Sequence, residues 1–213
     1  MFEELDFQKT DLGDLILRRR TLLSLDNREI YEVLLGEGYL MSSLFTVVEQ
    51  ELANLGLAAA AESTGAPQLE VVVGGLGLGY TAREVLLHEN VGSLLVVDYM
   101  EPVISWHQRE MVPLGAELNA DSRCRYVHGD FFRLALPAPE EPGFDPQQPD
   151  RKFHAVLLDI DHSPAKLLHE RHGEFYSSAG LRHLSEQLHP GGVFALWSDD
   201  PPEENFMAAL GEV

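Results

Sequence analysis

One cysteine, Cys124, in 213 residues rules out an internal disulfide, and such a chain fits a reducing compartment, the cytoplasm. No apolar run approaches the roughly 20 residues a membrane helix needs, so neither a spanning segment nor a membrane partner is expected. The opening stretch MFEELDFQKTDLGD is acidic and carries no apolar core, so it does not read as a secretory signal. Positive charge is the other scarcity: 15 Lys plus Arg stand against 35 Asp plus Glu, a formal net charge of −20. A surface this negative repels phosphate backbones, which argues against a nucleic-acid partner. It attracts small cations, although solubility alone would also account for it.

With 45% hydrophobic and 23% charged residues, the rest of the composition is that of a soluble globular chain. Its length suits one α/β domain with a small appendage. Residues 5–35 begin as an extended hairpin around Gly13-Asp14, and from Arg28 to about Ala61 the spacing reads as helical, broken at Gly36 and Gly38. These give an N-terminal segment over 1–62 and an α/β domain over 63–213. Leu69–Val73 is an uninterrupted apolar run of the kind a buried parallel strand uses. Strands then alternate with helices: Ser93–Val97, Arg125–His128, Phe153–Leu158 and Gly192–Trp197 are strands. Helices are expected over Tyr80–Glu89, over Pro102–Leu118 with a bend at Pro113, and between Pro164 and His189. This alternation predicts a doubly wound, mostly parallel sheet. LPAPEEPGFDPQQPDRK, between the third and fourth of these strands, reads as an exposed loop. After the fifth strand comes only an acidic-start helix, where sheets of this type usually carry two more strands. Either the chain is a piece of a longer one or something else completes the edge, which leaves room for a homodimer.

Ligands of open α/β sheets bind at the carboxyl ends of the strands. The first strand end presents Gly75-x-Gly77-x-Gly79, the second Asp98, the third Asp130, and the fourth Asp159 and Asp161. Glycines let the backbone turn sharply and approach a ligand closely. Asp98 lies 19 residues beyond Gly79, a spacing at which a carboxylate accepts ribose hydroxyls. Asp130 can accept from an exocyclic amine such as adenine N6, and Phe131 can pack on the base. Singly, each is as well explained as a turn or a helix cap; in this order they form a nucleoside site. Tyr80 occupies the sixth position of the glycine pattern, which argues against a dinucleotide fingerprint.

VVVGGLGLGYTAREVL resembles the spermidine synthase segment in which a strand meets a G-G-G-D-G-G loop and an R-E-V-L helix. LLVVDYMEPVI, RYVHGDFF, FHAVLLDIDHSP and GEFYSSAGLRHLSEQLHPGGVFALW are similar to later segments of that family, and FQKTDLGDLIL to its N-terminal hairpin. The resemblance covers roughly residues 5 to 200. It implies a class I S-adenosylmethionine-dependent methyltransferase-like fold. The implied enzyme is an aminopropyltransferase that uses decarboxylated S-adenosylmethionine, releases methylthioadenosine and needs no metal. The implied acceptor is a small cationic amine such as putrescine. By the same resemblance Asp159 is catalytic; Gln8, Gly75, Gly77, Gly79, Asp98, Tyr99, Asp130 and Phe131 hold the adenosyl ligand; Asp161 and His162 meet the amine.

Leu78 stands where the family loop carries Asp, so a carboxylate facing the aminopropyl group is missing there. Two other readings stay open on the same residues: a methyltransferase using S-adenosylmethionine, and a non-catalytic adenosyl-ligand binding protein. A metal on Asp159, Asp161 and His162 is disfavoured, since His169 and His172 are expected on a helix leading away. Cys124 reads as a small buried hydrophobe, and Trp106 and Trp197 as core packing.

Overall fold

The computed structural model describes residues 2–138 and 140–213; Met1 and Pro139, touched by the terminal and loop readings above, lie outside them. The chain opens with an antiparallel sheet of four strands in sequential order, β1 (Phe2–Thr10), β2 (Gly13–Leu22), β3 (Arg28–Leu35) and β4 (Gly38–Ser42). The helical reading of residues 28–42 is therefore wrong: they form a second hairpin, turning at Gly36 with φ +59°. What misleads is Glu32, an inward-facing position only 2% exposed, whose two carboxylate oxygens take Arg18 at 2.7 Å and Arg20 at 2.8 Å from β2. The true helix is α1 (Val47–Thr64), which packs on the second sheet rather than on the first. A Cβ on its Gly56 would stand 2.5 Å from Leu157, so the small residue allows the close approach.

The second sheet is parallel: β5 (Leu69–Gly74), β6 (Val91–Asp98), β7 (Cys124–His128), β8 (Phe153–Leu158) and β9 (Leu188–Leu196), in spatial order β7-β6-β5-β8-β9. Alternate residues feed two separate cores. Val71, Val73, Leu94 and Val96 face α1, α2 (Tyr80–Leu87), α3 (Glu101–Gln108) and α4 (Gly115–Ala120), together with Leu15, Leu17 and Val33 of the antiparallel sheet. Val72, Leu95, Val97 and Val156 face α5 (Phe131–Ala135), α6 (Ser178–Glu186) and α7 (Glu204–Gly211). Burial on both faces is why these strands read as unbroken apolar runs.

Two details depart from the sequence reading. The helix expected over 102–118 is two helices, parted where Glu110 takes a positive φ of 58° ahead of Pro113. The segment before β8 has neither helix nor strand among its described residues, yet it is not simply exposed: Phe144 and Asp145 are buried. Asp145 accepts from Arg125 at 2.6 Å and Arg151 at 2.9 Å, which ties the loop to β7 and the start of β8. As the sequence suggests, β9 lies at an edge of the sheet among the described residues, with β7 at the other. No helix among them is long and apolar enough to cross a membrane.

Candidate active site

The carboxyl ends of β5, β6 and β8, with the segment following β7, open onto one cavity of about 480 Å³. Gly75 and Gly77 line it at φ +94° and +48°, in the left-handed region that glycine tolerates. Gly75 is constrained twice, since a Cβ there would stand 2.1 Å from the carbonyl oxygen of Asp159. Gly79 lies outside the lining; at the N-cap of α2, a Cβ would press to 2.8 Å on His107 and Leu118. It serves helix packing. His107 is correspondingly buried, its pKa pushed down to about 4, with Nε2 bonded to the carbonyl of Gly77 at 2.9 Å.

Asp98 closes β6 and is buried. Its Oδ2 accepts the N–H of Leu76 at 2.9 Å and its Oδ1 that of Met100 at 2.7 Å, stitching the glycine loop to the neighbouring strand. Burial raises its pKa, and the backbone N–H donors of Leu76, Met100 and Gly77 only partly oppose this. Beside it, Tyr99 lines the mouth and donates its hydroxyl to Asp11 in the β1–β2 turn. Asp130 lines the cavity while Oδ1 caps α5, accepting from Phe132 N–H at 3.0 Å and Arg133 N–H at 3.3 Å. Its Oδ2 accepts no protein hydrogen bond among the described residues. Phe131 reaches the cavity wall, but its ring is buried on Gly74, where a Cβ would lie 2.5 Å from it. The aromatic surface that sequence reasoning missed is Phe132, stacked on His172 with centroids 3.8 Å apart.

Asp159 ends β8 on the cavity, with the hydroxyl of Thr81 donating to Oδ2 at 2.9 Å. Burial pushes its carboxyl up to about 7; the Thr81 bond pulls it down, and the charge of Glu49 pushes it further up. Glu49, from the first turn of α1, also lines the cavity, and its own carboxyl is raised by burial. No motif marks it in the sequence. Asp161, 4% exposed, lines the same space but is filled by donors: Leu168 N–H at 2.7 Å, His172 Nδ1 at 2.9 Å and Tyr176 hydroxyl at 3.0 Å. It organises the segment that follows, and His172 thus turns back to the strand end instead of leading away. His162 is exposed on the cavity beside Trp197, their rings 6.5 Å apart. Trp197 is a wall of the site, whereas Trp106 is a core residue whose Nε1 donates to Asp6 at 2.6 Å.

Gln8 does not reach the lining: its amide donates to Asp6 at 3.1 Å on β1. The antiparallel sheet meets the cavity through other residues, Leu12, Leu35, Leu40 and Met41, and the end of Met41 rests on Gly77. Leu78 is fully buried in the core and also lies off the lining. Cys124 packs against that core, its thiol pushed up to about 12 by burial.

A possible metal cluster among the described residues, Glu70, His154 and His189, is at the opposite, amino-terminal end of the strands. Part of its ligand capacity is already used. His154 Nδ1 accepts the N–H of Glu70 at 3.0 Å, and the carboxylate of Glu70 takes Arg151 at 3.0 Å.

No family model matches the chain. The polyamine aminopropyltransferase of Aeropyrum pernix is 30% identical over 139 residues, covering 61% of this chain and 37% of that protein. A spermidine synthase solved with the transition-state analogue AdoDATO superposes with a TM-score of 0.68 at 16% identity, over 98% of this chain and 63% of that one. The spermidine synthase of Thermotoga maritima gives 0.65 at 15%, over 98% and 62%. The chain thus spans under two thirds of each of these relatives. In architecture it is spermidine synthase-like: a four-stranded antiparallel sheet set before a five-stranded parallel sheet flanked by helices.

Proposed function

We propose that the chain transfers an aminopropyl group from decarboxylated S-adenosylmethionine to a small amine such as putrescine, leaving methylthioadenosine. The observation that carries this is the convergence of Asp98, Asp130 and Asp159 on one glycine-floored cavity. Asp98 keeps lone pairs for ribose hydroxyls beyond its backbone donors, and Oδ2 of Asp130 is open to an exocyclic amine. The Phe132–His172 stack offers a flat apolar face beside it.

Asp159 is the base. The amine nitrogen forms a bond to the propyl carbon beside the sulfonium, and the carbon–sulfur bond breaks with its electron pair remaining on sulfur. The proton released by nitrogen passes to Asp159. An alkylammonium has a pKa of about 10.4, so it must be desolvated and set beside the sulfonium before it gives up a proton. A carboxyl with a pKa of about 7 is half ionised at neutral pH and binds a proton more firmly than a solvated aspartate does. The remaining requirement is positioning, which the cavity walls supply.

Incubation with decarboxylated S-adenosylmethionine and putrescine, read by mass spectrometry, should yield aminopropylated amine and methylthioadenosine in equal amounts. Methylated product from S-adenosylmethionine, or tight adenosyl binding with no turnover from either donor, would reject the reading.

A further inference from the structure

Charge is divided unevenly around the cavity. The strand order sets Asp130, after β7, at one side and Trp197, after β9, at the other, with Gly75 and Asp159 between them. Near Asp130 and Tyr99 the wall carries Arg133, Arg171, His169 and His172. Beyond Asp159, on the side of β8 and β9 against which α1 packs, it carries Glu49, His162 and Trp197. Neither Glu49 nor Asp159 forms an ion pair among the described residues, and no lysine or arginine lines that end. The two carboxyls are close enough for the charge of Glu49 to act on Asp159.

If ribose and base occupy the Asp98–Asp130 side, as in the function proposed above, the sulfonium tail extends toward Glu49. A tail ending in an ammonium finds a counter-charge there. A tail that also carries a carboxylate meets like charges in a partly desolvated space, without a cation to offset them. The glycine loop plays no part in this, because Leu78 is turned into the core. We propose that Glu49 sets donor specificity, admitting an adenosyl sulfonium with a purely cationic tail and rejecting one with a carboxylate. The carboxylate at the tail end is thus supplied by the first helix and not by the loop. Discrimination here has an attractive and a repulsive component, both from one side chain.

The test is calorimetric binding of decarboxylated S-adenosylmethionine, S-adenosylmethionine and methylthioadenosine to the full chain and to Glu49→Gln and Glu49→Asp. The wild type should bind the decarboxylated donor about tenfold or more tightly than the carboxylated one, and Glu49→Gln should narrow that ratio about fivefold or more. Methylthioadenosine, which has no charged tail, should bind all three proteins equally, and Glu49→Asp should retain most of the ratio. A full preference kept in Glu49→Gln, with methylthioadenosine binding intact, would overturn the role of Glu49 and leave the transferase reading standing. Wild-type protein that binds both donors equally would overturn it as well. So would Glu49→Gln losing methylthioadenosine, which would make the residue structural. Failure of the wild type to bind any of the three would remove the transferase reading together with it.

Discussion

Thr81, in the first turn of α2, donates its hydroxyl to Oδ2 of Asp159 across 2.9 Å, linking the helix that follows the glycine loop to the end of β8. That bond favours the ionised carboxylate, whereas burial favours the protonated one. On the proposed mechanism the acid limb of the pH–rate profile should lie near 7, where Asp159 titrates, and Thr81→Val should raise it. Turnover at pH 7 should drop about threefold to tenfold and recover at higher pH. Thr81→Ser, which keeps the hydroxyl, should leave the limb in place. An unmoved limb in Thr81→Val would separate the bond from the titration.

Asp159→Asn tests the base and the thermodynamics together. Turnover should fall by about two to four orders of magnitude, with methylthioadenosine binding preserved. The folded carboxyl titrates near 7 and the unfolded one near 3.8, so between these values the folded state holds the extra proton. The wild type thus loses stability as pH rises from about 4 to 7, and the loss is complete above 7. The amide does not titrate. Relative to wild type, Asp159→Asn should gain little at pH 4, more through pH 7, and a constant increment of several degrees in Tm at pH 8. A gain independent of pH would mean that the carboxyl does not titrate as described. Differencing the two proteins is required because His107 slopes the other way: its depressed pKa of about 4 makes stability fall as pH drops below 6.5.

Two loop glycines should behave differently. Gly75→Ala forces a Cβ to within 2.1 Å of the backbone of Asp159, at a positive φ, and backbone cannot move aside locally. At Gly77 the obstacle is the flexible end of Met41. Gly75→Ala should abolish adenosyl-ligand binding and lower Tm markedly. Gly77→Ala should weaken binding while the protein stays folded, at a cost of about 1–2 kcal/mol for the strained backbone. Equal effects in thermal melts and ligand titrations would contradict this assignment.

Asp145 is 1% exposed, and although burial opposes its charge, the bonds from Arg125 and Arg151 hold its carboxyl below the usual range. Asp145→Ala leaves the Arg125 guanidinium without its ion-pair partner, while Arg151 keeps only Glu70. The substitution should cost about 3–5 kcal/mol and expose the proline-rich segment to proteolysis first. Limited proteolysis with fragment mass mapping checks both; unchanged cleavage there would show that the loop does not depend on this anchor.

The parallel sheet was legible because each of its central strands is buried on both faces, so Leu69–Val73 advertises itself without reference to any partner. The acids at the strand ends followed from topology alone. The β3–β4 hairpin was not legible, since Glu32 looks like an error in a strand until Arg18 and Arg20 are set across from it. Asp161 reads in the sequence only as an acid beyond a strand end. Its donors come from residues 168–176, and only the folded chain reveals that it holds a segment together. Glu49 carried no signal because it enters from a helix whose approach to β8 and β9 is a tertiary fact. Leu78 shows the converse: the resemblance to the family loop puts it at the ligand, whereas packing puts it in the core.

The roof formed by Leu12, Leu35, Leu40 and Met41 and the floor formed by Gly75 and Asp98 belong to two differently constructed sheets. Variation in the first 45 residues can therefore remodel the chamber above the glycines while the anchorage beneath is untouched. A lineage built this way is free to change its guest without rebuilding its foundation.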